Sequence, residues 1–202
     1  MNSRDITHEV ARREELLRLS ELTHVPVAVD VGTGDGFSAL ALSSVSDQVI
    51  AVDKDWNHLT KYACNRVSKS ILLVQADFLY LPLRSVDLYC SFASWQHALM
   101  HQTSTEKLEK AIEEAFKSLN PDGILLVVER LAFFDDWQPQ NPFQKNQRVY
   151  YTVIENLFHP PIFKEALLSE NEFLCMVEKH FQVLTAELVY DRDILCDAFL
   201  IL

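Results

Sequence analysis

The sequence predicts an α/β fold: a doubly wound, mostly parallel sheet of seven strands, with helices on both faces and an antiparallel hairpin at the C-terminus. Three observations predict it. Short runs that are apolar along their whole length alternate with stretches of helical periodicity, and strands buried on both sides read this way because helices cover both faces of a parallel sheet. Three of the chain's four glycines fall within residues 32–36, directly after the first apolar run and directly before a helix start. Two final apolar runs flank a short charged segment, as the strands of a hairpin do.

Taken in order, Val10, Leu16, Leu17 and Leu19 recur among charges over residues 7–22 and predict an amphipathic N-terminal helix. The first strand falls at about 26–31, its helix at about 36–45, and Val49-Ile50-Ala51-Val52 forms the second strand, ending at Asp53. Asp55 is placed to cap the next helix, on which Trp56, Leu59, Tyr62 and Ala63 stand at helical spacing. Ile71-Leu72-Leu73-Val74 is a third strand, and Val86 to Ser91 a fourth. Thr103 and Glu106 offer a capping box for a helix whose apolar face is Leu108, Ala111, Ile112, Ala115, Phe116 and Leu119. Asn120-Pro121-Asp122-Gly123 then turns the chain into a fifth strand at 124–128. Residues 130–168 break the pattern: they are rich in aromatics, including Trp137, Tyr150 and Tyr151, and hold Pro139, Pro142, Pro160 and Pro161. Ser169 and Glu172 open a last helix carrying Phe173, Leu174, Val177 and Phe181, and the runs 182–189 and 194–202 close the chain.

At 202 residues the sequence fits one domain, 1–202, with an N-terminal helix (1–24), a core (25–129), an aromatic insertion (130–168) and a closing helix and hairpin (169–202). A net charge of -11 disfavours nucleic acid and anionic membrane as partners, since both attract clustered Lys and Arg. No apolar run reaches the ~18 residues of a membrane span, and residues 1–24 lack the apolar core of a signal peptide. A cytoplasmic location is expected. Cys64, Cys90, Cys175 and Cys196 stand apart in apolar contexts and read as buried small hydrophobes.

Every polar feature of interest lies at the carboxyl end of a strand, where open parallel sheets bind ligands. The first is Asp30-x-Gly32-x-Gly34-x-Gly36, with Thr33 inside it. It departs from the dinucleotide fingerprint because Phe37 stands where that pattern has its third glycine. It matches an acidic-x-Gly-x-Gly-x-Gly pattern, and here the chain resembles the class I, Rossmann-like S-adenosylmethionine-dependent methyltransferases, in particular the broad type 11, quinone-biosynthesis-like group. The resemblance extends over residues 25–129 and 169–202, through Asp53 and Lys54 after the second strand, Gln75-Ala76-Asp77-Phe78 with Leu81-Pro82 after the third, and Ser91-Phe92-Ala93-Ser94-Trp95 after the fourth. His180 departs from it, standing where relatives often carry glycine before the sixth strand.

The resemblance implies S-adenosyl-L-methionine as cofactor and S-adenosyl-L-homocysteine as product. The glycines would admit the backbone close to the cofactor, and Asp30 would act near its amino group, directly or through water. Asp53 would accept from the ribose hydroxyls, Asp77 from the adenine amino group, and Phe78 would lie against the ring; Ser91 and Phe92 would border cofactor and acceptor. Each residue also has a plainer reading: a tight strand–helix turn for the glycines, a helix cap for Asp53, a turn-forming Asp77 and a core Phe78. Methyl transfer from a sulfonium is an in-line displacement for which orientation and exclusion of water do most of the work. If the acceptor is a weakly acidic hydroxyl or amine, a base would help, and His97, His101 and Glu129 are the candidates. His97 and His101, four apart, could instead form half a metal site, but no third ligand is apparent and no metal is expected. Segment 130–168 suits the wall and lid of a small-molecule acceptor site, or equally a homodimer interface or plain core. The alternatives are a non-catalytic S-adenosylmethionine-binding regulatory or assembly protein and an NAD-dependent oxidoreductase.

Overall fold

The computed structural model describes residues 3–65, 70–95, 98, 105–129, 170–191 and 196–201. Helix α1 (Ser3–Leu19) precedes β1 (Val25–Val31), α2 (Phe37–Leu42), β2 (Ser46–Asp53), α3 (Trp56–Asn65) and β3 (Ile71–Gln75). There follow β4 (Val86–Phe92), α4 (Glu106–Ser118), β5 (Leu119–Glu129), α5 (Glu170–Val177), β6 (Ala186–Asp191) and β7 (Cys196–Ile201). The strands lie in the order β3-β2-β1-β4-β5-β7-β6. β1 to β5 run parallel, and β7 is antiparallel to both β5 and β6. The chain winds one way from β1 through β2 to β3, then returns to place β4 on the other side of β1. The crevice outside the carboxyl ends of β1 and β4 is therefore the switch point of the sheet.

The apolar strands supply two cores. On one face Val29, Val31, Val52, Tyr89 and Val127 pack with Trp95, with Leu108, Ala111 and Ile112 of α4 and with Phe173 of α5. On the other, Ala28, Val49, Ala51, Leu88, Cys90 and Leu126 pack with Leu16 and Leu17 of α1 and with Ala39, Ala41 and Leu42 of α2. Alternate residues of one strand thus serve opposite cores, as the period of two requires.

Several local expectations change. Helix α1 occupies 3–19 rather than 7–22, and its Leu19 is half exposed. Helix α2 is only six residues long, because Ser43, Ser44 and Val45 turn the chain at once towards β2. The backbone of Asn57 does donate to Asp55 Oδ1 at 2.9 Å, capping α3, yet Trp56 faces solvent. Helix α4 starts from Thr105, without a side-chain cap, rather than from Thr103, and its Phe116 is half exposed. Of the four cysteines, Cys90 is buried and Cys175 is exposed. The segment 120–123 is a bulge within β5 rather than a turn before it: Val86 pairs with Leu119 but Leu88 with Ile124, so residues 120–123 loop out of the ladder. A Cβ on Gly123 would stand 2.8 Å from Leu119 Cδ2 and 3.0 Å from Asn120 O, so a side chain there would press on both neighbours.

Candidate functional site

The β1–α2 connection turns on three glycines in left-handed conformation, Gly32 (φ 65), Gly34 (φ 52) and Gly36 (φ 81). L side chains are strained there, and glycine is not. The turn is fastened at each step: Thr33 N–H donates to Val52 O at 3.0 Å, Gly36 N–H to Thr33 O at 2.8 Å, and Gly34 N–H to Asp53 Oδ2 at 2.9 Å. Asp53 is the last residue of β2 and is nearly buried. Its Oδ1 accepts from Asp55 N–H at 2.8 Å, and His58 Nδ1 stands 3.5 Å from its Oδ2. Each carboxylate oxygen accepts up to two hydrogen bonds, so Asp53 ties down the glycine turn and retains acceptor capacity for a ligand.

The glycines differ in what their missing side chains make room for. A Cβ on Gly34 would meet only Gly32 O, at 3.9 Å, so that side of the turn is open. A Cβ on Gly32 would stand 2.4 Å from Ser94 Cβ. Gly32 is therefore small for the sake of a neighbour in the fold, a role its motif does not disclose.

Asp30 is fully buried, and its side chain works within the protein. Its Oδ2 accepts from the hydroxyls of Thr33 and Ser38, both at 2.6 Å, while Oδ1 has no hydrogen-bond partner among the described residues. Burial pushes its pKa up to about 6, against the opposing effect of the two hydroxyls and of the positive charge of Arg13. Arg13 comes from α1, where its guanidinium lies 5.7 Å over the Phe37 ring. Through these contacts Asp30 organises the turn.

Glu129, expected as a base, ends β5 in a buried position. Its Oε1 accepts three hydrogen bonds: from Ser91 Oγ at 2.7 Å, Ser94 N–H at 2.9 Å and Trp95 N–H at 2.7 Å. With three donors gathered on it, Glu129 Oε1 is a structural acceptor. Ser94 Oγ completes the arrangement by donating to Val31 O at 2.8 Å and lying 2.7 Å from Ser91 Oγ. Between these contacts Ala93 takes a left-handed conformation (φ 53), and its N–H donates to Val128 O at 2.7 Å. Ser91 is fully buried beneath this turn, and Phe92 packs on the α1–α2 side of the sheet.

At the third strand end, Asp77 Oδ1 accepts from Leu79 N–H at 2.9 Å, an Asx turn, and half-buried Phe78 rests on the core. Lys54 carries an exposed side chain, and its carbonyl accepts from Gln75 Nε2 at 3.1 Å. The structure thus brings together Asp30, Gly32, Thr33, Gly34, Gly36 and Asp53, and on the neighbouring strand ends Ser91 with Glu129. His97, His101 and the insertion 130–168, with Trp137, Tyr150 and Tyr151, lie outside the described residues. No group of three potential metal ligands occurs among the described residues, and none of their helices is long and apolar enough to cross a membrane. Ser38 was missed by sequence reasoning, and Ser94 was read only as a member of the stretch after the fourth strand. Both are small hydroxyl residues whose partners lie on other elements, and only the spacing of Ser38 from the glycines hints at its part. A cavity of about 820 Å³ lined by Phe116, Leu119, Phe181 and Leu184 lies at the opposite end of the sheet, away from these residues.

Residues 29–127, about half of the chain, match the family model described as a methyltransferase domain. No curated protein matches the chain. Among solved structures it is similar to the N-methyltransferase NodS of Bradyrhizobium japonicum, at 15% identity and a TM-score of 0.65 over 100% of this chain and 97% of that one. NodS is also known in complex with S-adenosylhomocysteine, in a structure matched at a TM-score of 0.64 over 95% of this chain and 84% of that one. The YcgJ protein of Bacillus subtilis is matched at 18% identity and a TM-score of 0.61, over 91% of this chain and 73% of that one. The [4+2]-cyclase SpnF is matched at 18% identity and a TM-score of 0.66, over 93% of this chain and 62% of that one. At these identities the solved structures speak for the fold, and the family match speaks for the domain. The acidic-x-Gly-x-Gly-x-Gly turn at the switch point of a mostly parallel sheet thus lies within residues 29–127, the part of the chain that matches a methyltransferase domain.

Proposed function

We propose that this chain transfers the methyl group of S-adenosylmethionine to a small-molecule acceptor. The observation that carries the reading is the open side of the turn at Gly34, with the Asp53 carboxylate beside it and Asp77 and Phe78 at the next strand end. The residues suit the cofactor: a main-chain turn with room for close approach, one carboxylate with acceptor capacity for ribose hydroxyls, and a second with an aromatic neighbour for adenine. When bound, the cofactor supplies a methyl group on a positively charged sulfonium, already attached to a good leaving group.

The chain's own contribution is then chiefly position. Asp53, held by Gly34 and Asp55, fixes the ribose end, and the rigid β4 and β5 ends set the wall beyond. Orientation of this kind can be worth ~7 kcal/mol or more of a barrier. A hydroxyl or amine acceptor would gain from a base, and His97, His101 and Glu129 are the candidates for it. The small-molecule acceptor follows from the net charge of -11, which repels polyanions, and from the aromatic composition of 130–168, read as an acceptor wall. SpnF, which has this fold, is a cyclase, so binding and transfer need separate tests.

Calorimetric titration with S-adenosylmethionine, S-adenosylhomocysteine and NAD tests the cofactor, and binding of NAD alone refutes the proposal. Transfer of a labelled methyl group to a metabolite panel tests the reaction. Cofactor binding with no transfer to any acceptor class would favour a regulatory or assembly protein.

A further inference from the structure

The geometry points to Glu129 and Ser94 as a positioning clamp that joins the end of β5 to the Gly32 turn and thereby sets the shape of the cofactor loop. The chain of contacts is continuous. Glu129 Oε1 gathers Ser91 Oγ, Ser94 N–H and Trp95 N–H. This holds the left-handed turn at Ala93 and directs Ser94 towards β1, where its hydroxyl reaches Val31 O at 2.8 Å. Val31 immediately precedes Gly32, and the space where a Cβ of Gly32 would stand is taken by Ser94, 2.4 Å away. Each partner is buried: Ser91, Ser94 and Glu129 are at most 4% exposed. Water therefore cannot substitute for a lost contact, and a buried donor left unmet is costly.

Three strand ends are coupled in this way. β5 supplies the carboxylate, the β4 turn supplies the serine, and β1 supplies a glycine shaped to receive it. Glu129 thus acts on cofactor binding through Ser94 and Gly32, and it is a positioning residue. The assignment rests on the cofactor reading above for its functional half, and on the contacts alone for its structural half.

The test is a double-mutant cycle on Gly32→Ala and Ser94→Gly, with Glu129→Ala as a third variant. Two quantities are read: the Kd for S-adenosylhomocysteine, well below each variant's unfolding temperature, and the Tm without ligand. Gly32→Ala is expected to weaken binding at least tenfold and to lower Tm, because its methyl group displaces Ser94. The double variant, with room for that methyl group restored, is expected to bind at least fivefold more tightly than Gly32→Ala and to melt at a higher temperature. Glu129→Ala is expected to weaken binding at least tenfold, whereas loss of a base acting on the acceptor would leave that Kd unmoved. Independent, multiplying effects of the two substitutions overturn the clamp, as does a Glu129→Ala Kd within twofold of wild type. If Gly32→Ala or Glu129→Ala does not fold, Ser94→Gly decides alone: unchanged Kd and Tm overturn the proposal, and a rise in Kd with a lower Tm supports it. A wild-type chain that takes up no S-adenosylhomocysteine removes the cofactor reading and the functional half with it. Additive Tm values remove the clamp itself, so the two failures are distinguishable.

Discussion

The two ends of the sheet are both closed by acidic side chains, but in different ways. At the amino end, Asp87 of β4 joins its neighbours: Oδ2 accepts from Val27 N–H of β1 at 3.0 Å, and Oδ1 accepts from Asn120 Nδ2 of β5 at 2.8 Å. Asp87 is partly exposed and sits beside a bulge. At the carboxyl end, Asp30, Asp53 and Glu129 are almost wholly buried, and they hold hydroxyls and main-chain N–H groups from connecting turns. The amino end uses a carboxylate to register strands. The carboxyl end uses three to hold irregular backbone in place, which is where a fold can present main-chain groups to a ligand.

The sharpest way to break this contrast is Gly34→Val. A β-branched residue is a strong outlier at positive φ, and its methyl groups would fill the open side of the turn. S-adenosylmethionine binding should be lost, and a variant that binds normally in calorimetry would place the site elsewhere. Glu129→Ala should come next in effect. It leaves three buried donors unmet, and at ~1–3 kcal/mol for each unsatisfied group a loss of about 3 kcal/mol in chemical denaturation is expected. Asp53→Ala should weaken S-adenosylmethionine binding by about 1–3 kcal/mol and loosen the turn at Gly34; unchanged affinity would remove Asp53 from the site. Asp87→Ala should cost about 1 kcal/mol of stability with the cofactor Kd unmoved, since its contacts lie at the far end. A shift in that Kd would show that the two ends are not independent.

Asp30→Asn sharpens the comparison in another direction. Asp30 has its folded pKa raised from 3.8 to about 6 by burial. The folded state therefore holds the proton more tightly than the unfolded chain. The associated stability is fully present below about pH 4 and is lost as pH rises through about 6. The asparagine variant retains an oxygen for Thr33 and Ser38 and carries no charge. Its Tm relative to wild type should rise between pH 4 and 6 and level off above; a difference that does not change with pH would mean that Asp30 titrates normally.

Much of the parallel core was legible because each strand is apolar on both faces, and few other structures bury such runs. Asp55 announced its cap because an Asp at the N-cap acts over two residues, a range that local sequence records. The bulge at 120–123 was read as a turn, since Asn-Pro-Asp-Gly has the same composition in either setting; pairing with Val86 and Leu88 decides between them. Phe116 was placed on the apolar face by its spacing, and it is half exposed, meeting Phe181 edge-on at 5.7 Å between ring centroids. For the site, the glycine turn and Asp53 stood out in one dimension. Glu129 was noticed for its position, but its part in holding residues 91–95 was not legible, because three donors arriving from there leave no trace near residue 129.

The sequence by itself determined the alternation of buried strands and helices, the left-handed glycine turn after β1, and acids at successive strand ends. Periodicity and backbone freedom are local properties of a chain, and they can be read along it. Only the tertiary structure decided which glycine leaves an open side to the turn and which makes room for Ser94, and which turns Asp30 and Glu129 hold. The contacts of Val31 and Glu129 join residues 34 to 63 positions apart, in a space too dry for water to replace either partner.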